Sequence, residues 1–491
     1  MPKEKKERFI LTFRLQTEPW QEDVIDKRIE AGRKIYNQLV HESLKRWNEL
    51  KKSKKYRAIL KSLTHDKEKD LPIWQEINRM RKDIGLSEYG LSSMVTPIRQ
   101  YWKKHINVHL AQKISLQVWH SYEDYFYGKG KQIHFKKYGQ FNSLEGKNNT
   151  NGIVFKPKQL SCVWGGLKIS VVVDEKNPYE MEALEMPVAY CRVLRKIIRG
   201  KRKYYLQVVF KGQKPAKRRK SDGSFVHVLG QGDVGIDIGV STIAFTSKDE
   251  VHIYELADKA QGLERERLLL QRKMDRSSRA TNPENFNEDG TAKKGRHRWV
   301  RSNRYFKTLL KLKEISRKQA AIRKYQHELL ANHILTLGDK FYVETMNFKG
   351  LQKRAKKTEI NKKTGKYKCK KRYGKSLANR APAMMISILA RKLGYFHIPL
   401  VEINTWKAKA SQFNHLTKEC HKKTLSQRWA IVNGRKVQRD MYSSFLIMNI
   451  NEDLKTYNME KCNSRYEKFL VLHDEEVARL RGKKNLRCEG I

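Results

Sequence analysis

The sequence predicts a multi-domain α+β protein. Its 491 residues exceed what one hydrophobic core usually serves, and about three domains are expected at this length. Along the first half, the spacing of apolar residues changes from strand-like to helix-like and back to strand-like. In the second half, short strand patterns alternate with longer helical ones. Blocks of this kind indicate separate sheets with helices packed on them or inserted between their strands.

The first part of the chain is predicted to be one strand followed by helices. Residues 8–15 are rich in strand formers and are expected to join a sheet that is completed much later. From Trp20 to Trp47 apolar residues recur at three- and four-residue steps, which is typical of an amphipathic helix. Further helices are expected around 73–84 and, after Pro97, around 98–119. Their apolar stripes predict helix-bundle core, and their basic faces predict contacts to a nucleic acid backbone.

From residue 122 the pattern returns to short strands that Gly, Asn and Pro separate. These strands are predicted at 132–136, 152–155, 167–173 and 188–194, and a hairpin at 192–210 with its turn at 199–202. Short strands at this spacing indicate a small barrel or sandwich. The polar, basic segment 211–224 is interpreted as a linker that closes this module.

The stretch 233–245 organises the second half. Its apolar residues alternate and then form a second run, which predicts two short strands joined by a tight turn, with Gly239 in the left-handed conformation. Asp237 lies inside the first strand, where an unpaired carboxylate is costly to bury. A divalent cation would offset that cost. The alternative that this stretch leaves open is an Asp that only accepts hydrogen bonds from turn amides.

Helices and strands alternate after this stretch. Helices are predicted at 263–275, 305–337, 381–393 and 437–447, and strands at 340–347 and 397–403, with a loop over 276–304. Glu344 is placed at the end of the first of these strands, and Asp440 at the opening of the last helix. Residues 353–375 are so rich in Lys and Arg that a loop or arm against phosphates, or disorder, is expected.

The charge balance predicts a polyanionic partner. The chain has 104 Lys and Arg against 52 Asp and Glu, a formal net charge of +52, and nucleic acid is the partner that such an excess favours. The aromatic fraction of 10% supplies surfaces on which bases can stack. The chain has neither a membrane-length apolar run nor an apolar signal segment, and its six cysteines form no C-x-x-C pair. A cytoplasmic protein of the bacterial cytosol or nucleoid, with no membrane partner, is predicted.

Asp237, Glu344 and Asp440 predict a metal site. A sheet with helices packed on it can bring two strand ends and one helix start together. Three acids so placed in a strongly basic chain are typical of a metal-dependent phosphodiesterase, in which carboxylates hold two Mg²⁺ ions, or Mn²⁺ in their place. One ion activates water and the other stabilises the leaving 3′ oxygen.

The motifs around these acids resemble those of a known family. G-I-D-I-G-V-S, then F-Y-V-E-T-M-N-F, then V-Q-R-D-M-Y-S-S-F-L-I are similar in kind and order to the nuclease core of TnpB. TnpB proteins are transposon-encoded RNA-guided DNA endonucleases, ancestral to compact type V CRISPR effectors. The resemblance implies an RNase H-like (RuvC) α/β nuclease core, a small β-barrel wedge domain and an inserted helical recognition lobe. It also implies that Asp237, Glu344 and Asp440 are the catalytic, metal-binding residues.

The resemblance also implies domain boundaries. The wedge domain takes its first strand from 1–15 and continues, with its linker, over 122–224, while 16–121 form the recognition lobe. The nuclease core covers 225–404 and 437–450, with an insertion at 405–436 and a C-terminal tail at 451–491. In TnpB the insertion is a four-cysteine zinc knuckle. Here it offers only Cys420, so the knuckle is degenerate and zinc is not expected. His415, Cys420 and His421 as metal ligands are the alternative.

The predicted function is therefore an RNA-guided DNA endonuclease. Its partners would be target DNA and a guide RNA that derives from a transposon end or a CRISPR array. The protein would recognise a short motif beside the target, while base pairing reads the rest. Two alternatives stay open: a nuclease-inactive RNA-guided repressor, against which the intact acidic triad argues, and a transposase or transposase accessory protein that joins strands.

Overall fold

The computed structural model describes the chain except residues 1–6, 65, 67, 218, 220, 223, 355–358, 361–364, 366–372, 425–426 and 483–491. The chain forms two compact units, Met1–Gly223 and Ser224–Ile491. Each has its own sheet and its own covering helices, as the multi-domain α+β prediction requires. None of the helices in the described part of the chain has the length and apolar character that a bilayer span needs.

The first unit is an antiparallel sheet into which a group of helices is inserted. Its strands are β1 (Arg8–Gln16), β2 (Ser143–Glu145), β3 (Ile153–Lys156), β4 (Ser161–Trp164), β5 (Leu167–Val172), β6 (Val188–Ile198) and β7 (Lys201–Lys211). Its helices are α1 (Pro19–Lys52), α2 (Lys54–Lys61), α3 (Leu71–Asp83), α4 (Glu88–Tyr101), α5 (Val108–Phe126) and α6 (Pro178–Leu184). The strand order is β2-β6-β7-β1-β5-β4-β3, so the first strand is completed by strands far along the chain.

The seven-stranded sheet curls toward closure. Asn149 accepts hydrogen bonds from the Phe155 N–H of β3 at 2.8 Å and from the Cys191 thiol of β6 at 3.4 Å, which brings one edge strand toward the opposite side of the sheet. The β6–β7 hairpin turns at Arg199 (φ 50°) and Gly200 (φ 76°). Two positive φ values in a two-residue loop match the twist of the flanking strands, and they confirm the predicted hairpin.

Two predictions for the first unit are wrong. Residues 132–136 form no strand, because the backbone N–H and C=O of Lys136 bond to the Asn37 side chain of α1 at 2.8 and 2.9 Å. The Asn37 side chain thus makes the backbone hydrogen bonds that a neighbouring strand would otherwise make. The second error concerns Pro97, which lies inside α4 instead of preceding a new helix. The break comes later, where the Asn107 side chain accepts the Leu110 N–H at 2.9 Å and starts α5.

The second unit is a five-stranded mixed sheet with helices on both faces. Its strands are β8 (Asp233–Ile238), β9 (Thr242–Thr246), β10 (Val251–Glu255), β11 (Lys340–Glu344) and β12 (Leu400–Ile403), followed by two two-stranded ribbons, β13 (Phe413–Asn414) with β14 (Glu419–Cys420) and β15 (Trp429–Val432) with β16 (Arg435–Gln438). Its helices are α7 (Asp258–Gln261), α8 (Glu264–Thr281), α9 (Asn303–Leu335), α10 (Phe348–Leu351), α11 (Gly374–Arg380), α12 (Pro382–Leu393), α13 (Thr405–Ala408), α14 (Arg439–Met448) and α15 (Met459–Arg481).

The order of the five strands is β10-β9-β8-β11-β12. β10, β9 and β8 are antiparallel neighbours, whereas β8, β11 and β12 run parallel. One core packs the strands against α9 and α12, with Phe245 and Leu389 among its members. The other packs them against α14 and α15 and contains Phe445 and Phe469. The two strands predicted at 233–245 are therefore present as β8 and β9, and β8 is the central strand of the sheet.

Several local predictions in this unit need correction. Gly239 is not in the left-handed region, because the loop closes over three residues through Gly239 N–H and Thr242 C=O at 2.9 Å. α8 continues to Thr281, six residues into the predicted loop. α14 begins at Arg439 and is capped by the Gln438 side chain, since the preceding residues pair in β16. Most of the basic stretch 353–375 lies outside the described residues.

Candidate active site

Asp237 and Glu344 are neighbours on two parallel strands. β8 and β11 are in register with Val343 beside Ile236, so the next row places Glu344 beside Asp237. Adjacent strands lie about 4.8 Å apart, and residues of one row project to the same face. Asp237 is the penultimate residue of β8 and Glu344 the last of β11. Both acids therefore lie where the parallel strands end.

Asp440 is brought to the same place by α14. This helix lies so close to β8 that a Cβ on Gly235 would be 2.1 Å from the Ser444 carbonyl oxygen, a contact that only glycine permits. The Thr246 and Ser444 hydroxyls, 2.7 Å apart, fix the helix to β9 as well. Asp440 precedes Ser444 by about one turn, roughly 5.4 Å. Asp237 follows Gly235 by two strand residues, about 6.7 Å. The charge of Asp440 acts on Asp237, so the two acids lie at the same end of the contact.

The electrostatics show that the three carboxyl groups interact. The pKa of Asp237 lies well above its ordinary range, first because of burial and then because of the nearby charges of Glu344 and Asp440; Arg439 opposes the shift. Burial also raises the pKa of Glu344. A hydrogen bond with Asp237 works against that rise, and the charge of Asp440 adds to it. Bringing the three carboxyl groups together therefore disfavours their charged forms. A bound cation would relieve that repulsion.

Asp440 differs from the other two acids because arginines neutralise it. The Arg439 guanidinium lies 3.0 Å from one carboxylate oxygen and that of Arg428 lies 3.4 Å from the other. Arg439 is itself held by the carbonyl oxygens of Thr424 and Gln427 at 3.3 and 3.0 Å. Sequence reasoning missed both arginines. Only the adjacency of Arg439 and Asp440 in the chain could have suggested one of them.

The donor set fits Mg²⁺. Three carboxylates offer only hard oxygen ligands, which Mg²⁺ and Mn²⁺ prefer. Among the described residues, the oxygens of these three acids do not all come within 4.8 Å of one another. A two-metal site does not require that, because ions about 3.5–4 Å apart share the ligands between them. That Asp237, Glu344 and Asp440 bind Mg²⁺ stays a prediction, and their geometry is compatible with it.

The residues named for the degenerate knuckle have other partners. His415 is buried, and its backbone N–H and Nδ1 lie 3.1 and 2.6 Å from the Tyr442 hydroxyl. Burial lowers the pKa of His415 to about 4, so its ring is neutral. His421 Nε2 lies 3.0 Å from the Glu419 carboxylate, and Cys420 is exposed. His415 thus belongs to the packing of α14, and the ligand atoms of these three residues do not all come within 4.8 Å of one another.

A basic surface lies on the α8–α9 pair. A cavity of about 330 Å³ between these helices is lined by Leu270, Lys273, Arg304, Lys307, Thr308 and Lys311. A neighbouring cavity adds Arg276. Five cations converge here without an acidic lining residue, which is the arrangement that phosphate groups favour.

Comparisons with known proteins add little to this description. No protein-family model and no curated protein matches the chain. Among solved structures, a cryo-EM structure of the Cas12f1–sgRNA–target DNA complex matches with a TM-score of 0.38 and 12% identity, over 89% of this chain and 98% of that chain. A cryo-EM structure of a CRISPR–Cas12f ternary complex matches with a TM-score of 0.22 and 14% identity, over 90% and 99%. Both scores are too low to establish a shared fold, so neither match bears on the function of this chain.

Proposed function

We propose that the chain is an RNA-guided DNA endonuclease of the TnpB type, with an RNase H-like (RuvC) core in its second unit. The observation that carries the proposal is geometric: Asp237 and Glu344 lie side by side where two parallel strands end, and α14, which begins beside Asp440, packs on the same strand. A cluster of three acids is unexpected in a protein with a net charge of +52. Hydrolysis of a phosphodiester with the help of bound cations would explain it.

The three acids have distinct roles in this proposal. Asp237 and Glu344, in one row of the sheet, would hold cations from a rigid floor, and Asp440 would reach them from the first turn of α14. Two Mg²⁺ bound there would supply an activated water and stabilise the leaving 3′ oxygen. The floor is rigid because β8 is the central strand and because Gly235 admits α14 at backbone distance. Such support keeps ligands within the tolerance that catalysis needs.

Arg428 and Arg439 supply the positive charge around this site. Arg428 is partly exposed, with 35% of its side chain accessible, whereas Arg439 is anchored and 11% accessible. An anchored arginine holds Asp440 in place, and an exposed one can turn to a phosphate of the incoming strand. The cationic cavities on α8 and α9 would contact the backbone of the guide or the target, without reading its sequence.

The test begins with the nucleic acid that the protein carries. Expressed with its native locus, the protein should copurify with one defined RNA, and this RNA should raise its melting temperature. The complex should then cut DNA that matches the RNA, only when Mg²⁺ or Mn²⁺ is present. Recovery of random host RNA with an unchanged melting temperature would contradict the guided mechanism. A defined RNA without cutting would contradict only the nuclease.

One observation favours a second candidate, an RNA-guided binder that does not cut. Asp440 is already satisfied by two arginines, so a structural role for it needs no metal. In that case Asp440→Ala would lower stability and leave binding of a matched DNA duplex intact, and the parent protein itself would show no Mg²⁺-dependent cleavage. Duplex binding and cleavage measured on the same preparation separate the two functions.

A further inference from the structure

A second group of potential metal ligands lies at the edge of the same sheet. Glu250 precedes β10, His252 lies within it, and His333 lies in the last turn of α9. One ligand atom from each comes within 4.8 Å of the other two. The Nε2 atoms of His252 and His333 both approach the same Glu250 oxygen, at 3.1 and 2.8 Å. No other described trio of His, Cys, Asp or Glu is drawn together so closely.

His252 is oriented by a buried carboxylate. Its Nδ1 lies 3.0 Å from Oε2 of Glu476 on α15, whose side chain is only 1% exposed. The other Glu476 oxygen accepts the Ile253 N–H of the edge strand at 3.0 Å, and Arg479 donates to both oxygens at 2.5 Å. A carboxylate that accepts Nδ1–H leaves the lone pair on Nε2. This is the arrangement that orients histidine ligands of metal ions.

The ring of Phe245 closes the inner side of the group. Its centroid lies 5.6 Å from the His252 ring and 5.7 Å from the His333 ring, and both contacts are edge-on. The two imidazoles are 5.6 Å apart. Phe245 is fully buried, so this side of the two imidazole rings is covered by protein. The open side faces the solvent, since Glu250 and both histidines are partly exposed.

Ion pairing is the alternative explanation of this geometry, and it requires protonated histidines. Two Nε2 atoms can both donate to Glu250 only if each carries a proton. His252, which also faces Glu476, would then have to be a cation. A bound metal ion would instead be coordinated by the Nε2 lone pairs of both neutral rings. Tetrahedral bonds of about 2.0–2.1 Å hold ligand atoms about 3.3–3.4 Å apart. The observed separations of 2.8 and 3.1 Å need to widen by only a few tenths of an ångström.

We propose that Glu250, His252 and His333 bind one Zn²⁺ ion, with water completing its coordination. Two imidazoles and one carboxylate suit zinc better than Mg²⁺, which prefers oxygen alone. The ion would tie the β9–β10 hairpin to the end of α9, and through Glu476 to α15. It is separate from the carboxylate site and from the 405–436 insertion. It also departs from the prediction that the protein holds no zinc, which rested on the single cysteine of that insertion.

The experiment measures zinc in the full-length protein after chelator treatment, reloading with Zn²⁺ and dialysis. About one zinc per chain should remain in the parent. His333→Ala should reduce it to roughly a tenth or less, while His421→Ala and Cys420→Ser should retain it. Zinc should raise the melting temperature of the parent but not that of His333→Ala. If the parent retains no zinc, or His333→Ala retains it, the proposal is wrong. Loss on Cys420→Ser would move the ion to the insertion.

X-ray absorption on the zinc-loaded parent makes the test independent of how the variants fold. Only nitrogen and oxygen ligands, with the scattering of two imidazoles, are expected at about 2.0–2.1 Å. A sulfur ligand, or fewer than two imidazoles, would contradict the assignment to Glu250, His252 and His333.

Discussion

The two ligand groups of the five-stranded sheet differ in what holds them together. Asp237, Glu344 and Asp440 carry like charges: burial and their mutual repulsion raise the pKa of Asp237, and two arginines pair with Asp440. Glu250, His252 and His333 attract one another, and Glu476 orients them from behind. Such repulsion is expected of the catalytic centre proposed above, where bound cations would relieve it. The second group is already assembled, which suits a structural ion.

Removing an acid of the first group should have the largest effect. Asp237→Ala, Glu344→Ala and Asp440→Ala should each lower the rate of guided DNA cleavage on the order of hundredfold or more, because a two-metal site fails when either ion is misplaced. Guide and target binding should persist, since pairing and phosphate contacts lie elsewhere. The rate is measured at saturating guide and Mg²⁺.

The matched control is Glu460→Ala, which removes an exposed acid from the first turn of α15 and should leave the rate near that of the parent. If Asp440→Ala also cuts at the parent rate while Asp237→Ala does not, Asp440 is not a ligand. Its contacts with Arg428 and Arg439 would then be purely structural ion pairs.

The second group should respond most to the residue that orients it. Glu476→Gln keeps the size of the side chain but weakens the acceptor that holds the His252 Nδ1–H, so zinc should bind about 10–100-fold more weakly. Zinc affinity is measured by competition with a chromogenic chelator. Glu475→Gln, a change at the exposed neighbouring residue, is the control. Equal affinities in the two variants would mean that Glu476 serves only Arg479 and the edge strand.

The same contrast explains what the sequence could reveal. Asp237 and Glu344 interrupt apolar strand patterns, and a carboxylate in such a place needs a partner. His252 and His333 have no such signal, because they lie on elements far apart in the chain and meet only through the packing of α9 against the sheet. The role of Glu250 is hidden for the same reason. A carboxylate within an apolar strand pattern can be recognised in the sequence, whereas ligands that meet only through packing cannot.

The fold shows a similar division. The strands at the centre of each sheet were predicted because their apolar patterns are strong. Residues 132–136 were misassigned because their hydrogen-bond partner, Asn37, belongs to a distant helix. α14 starts at Arg439, two residues after the start of the predicted range 437–447, because Gln438 caps the helix while it still pairs in β16. Tertiary partners decided each of these points.

The strain at the first site should be measurable as stability. The raised pKa of Asp237 means that the folded state binds a proton more tightly than the unfolded chain does. This contribution stabilises the protein at low pH and is lost as pH rises through the folded-state pKa. Without divalent cations, Asp237→Asn should therefore raise the melting temperature above that of the parent, with a larger difference at pH 8 than at pH 5. Each 1 kcal/mol of relief corresponds to about 2–4 °C.

Mg²⁺ provides the internal control for that measurement. It should stabilise the parent and reduce the difference from Asp237→Asn, because a cation relieves the same repulsion. A lower melting temperature for Asp237→Asn at both pH values would show that the carboxylate is satisfied without an ion, and the contrast between the two groups would disappear.

The smallest effect is expected at Arg428, which competes with a cation for Asp440. Its contact of 3.4 Å is long and its side chain is 35% exposed, and such ion pairs are typically worth about 0–1 kcal/mol. If Asp440 is a ligand, Arg428→Gln should lower the half-saturating Mg²⁺ concentration by at most about fivefold, since 1.4 kcal/mol corresponds to tenfold. The maximal rate should change little.

If Arg428 instead holds a phosphate of the target, the rate should fall while the Mg²⁺ midpoint stays unchanged. A titration of cleavage rate against Mg²⁺ for the parent and for Arg428→Gln distinguishes the two roles. Arg435→Gln, a change to an exposed arginine that pairs with Asp474 at 3.3 Å, should shift neither quantity.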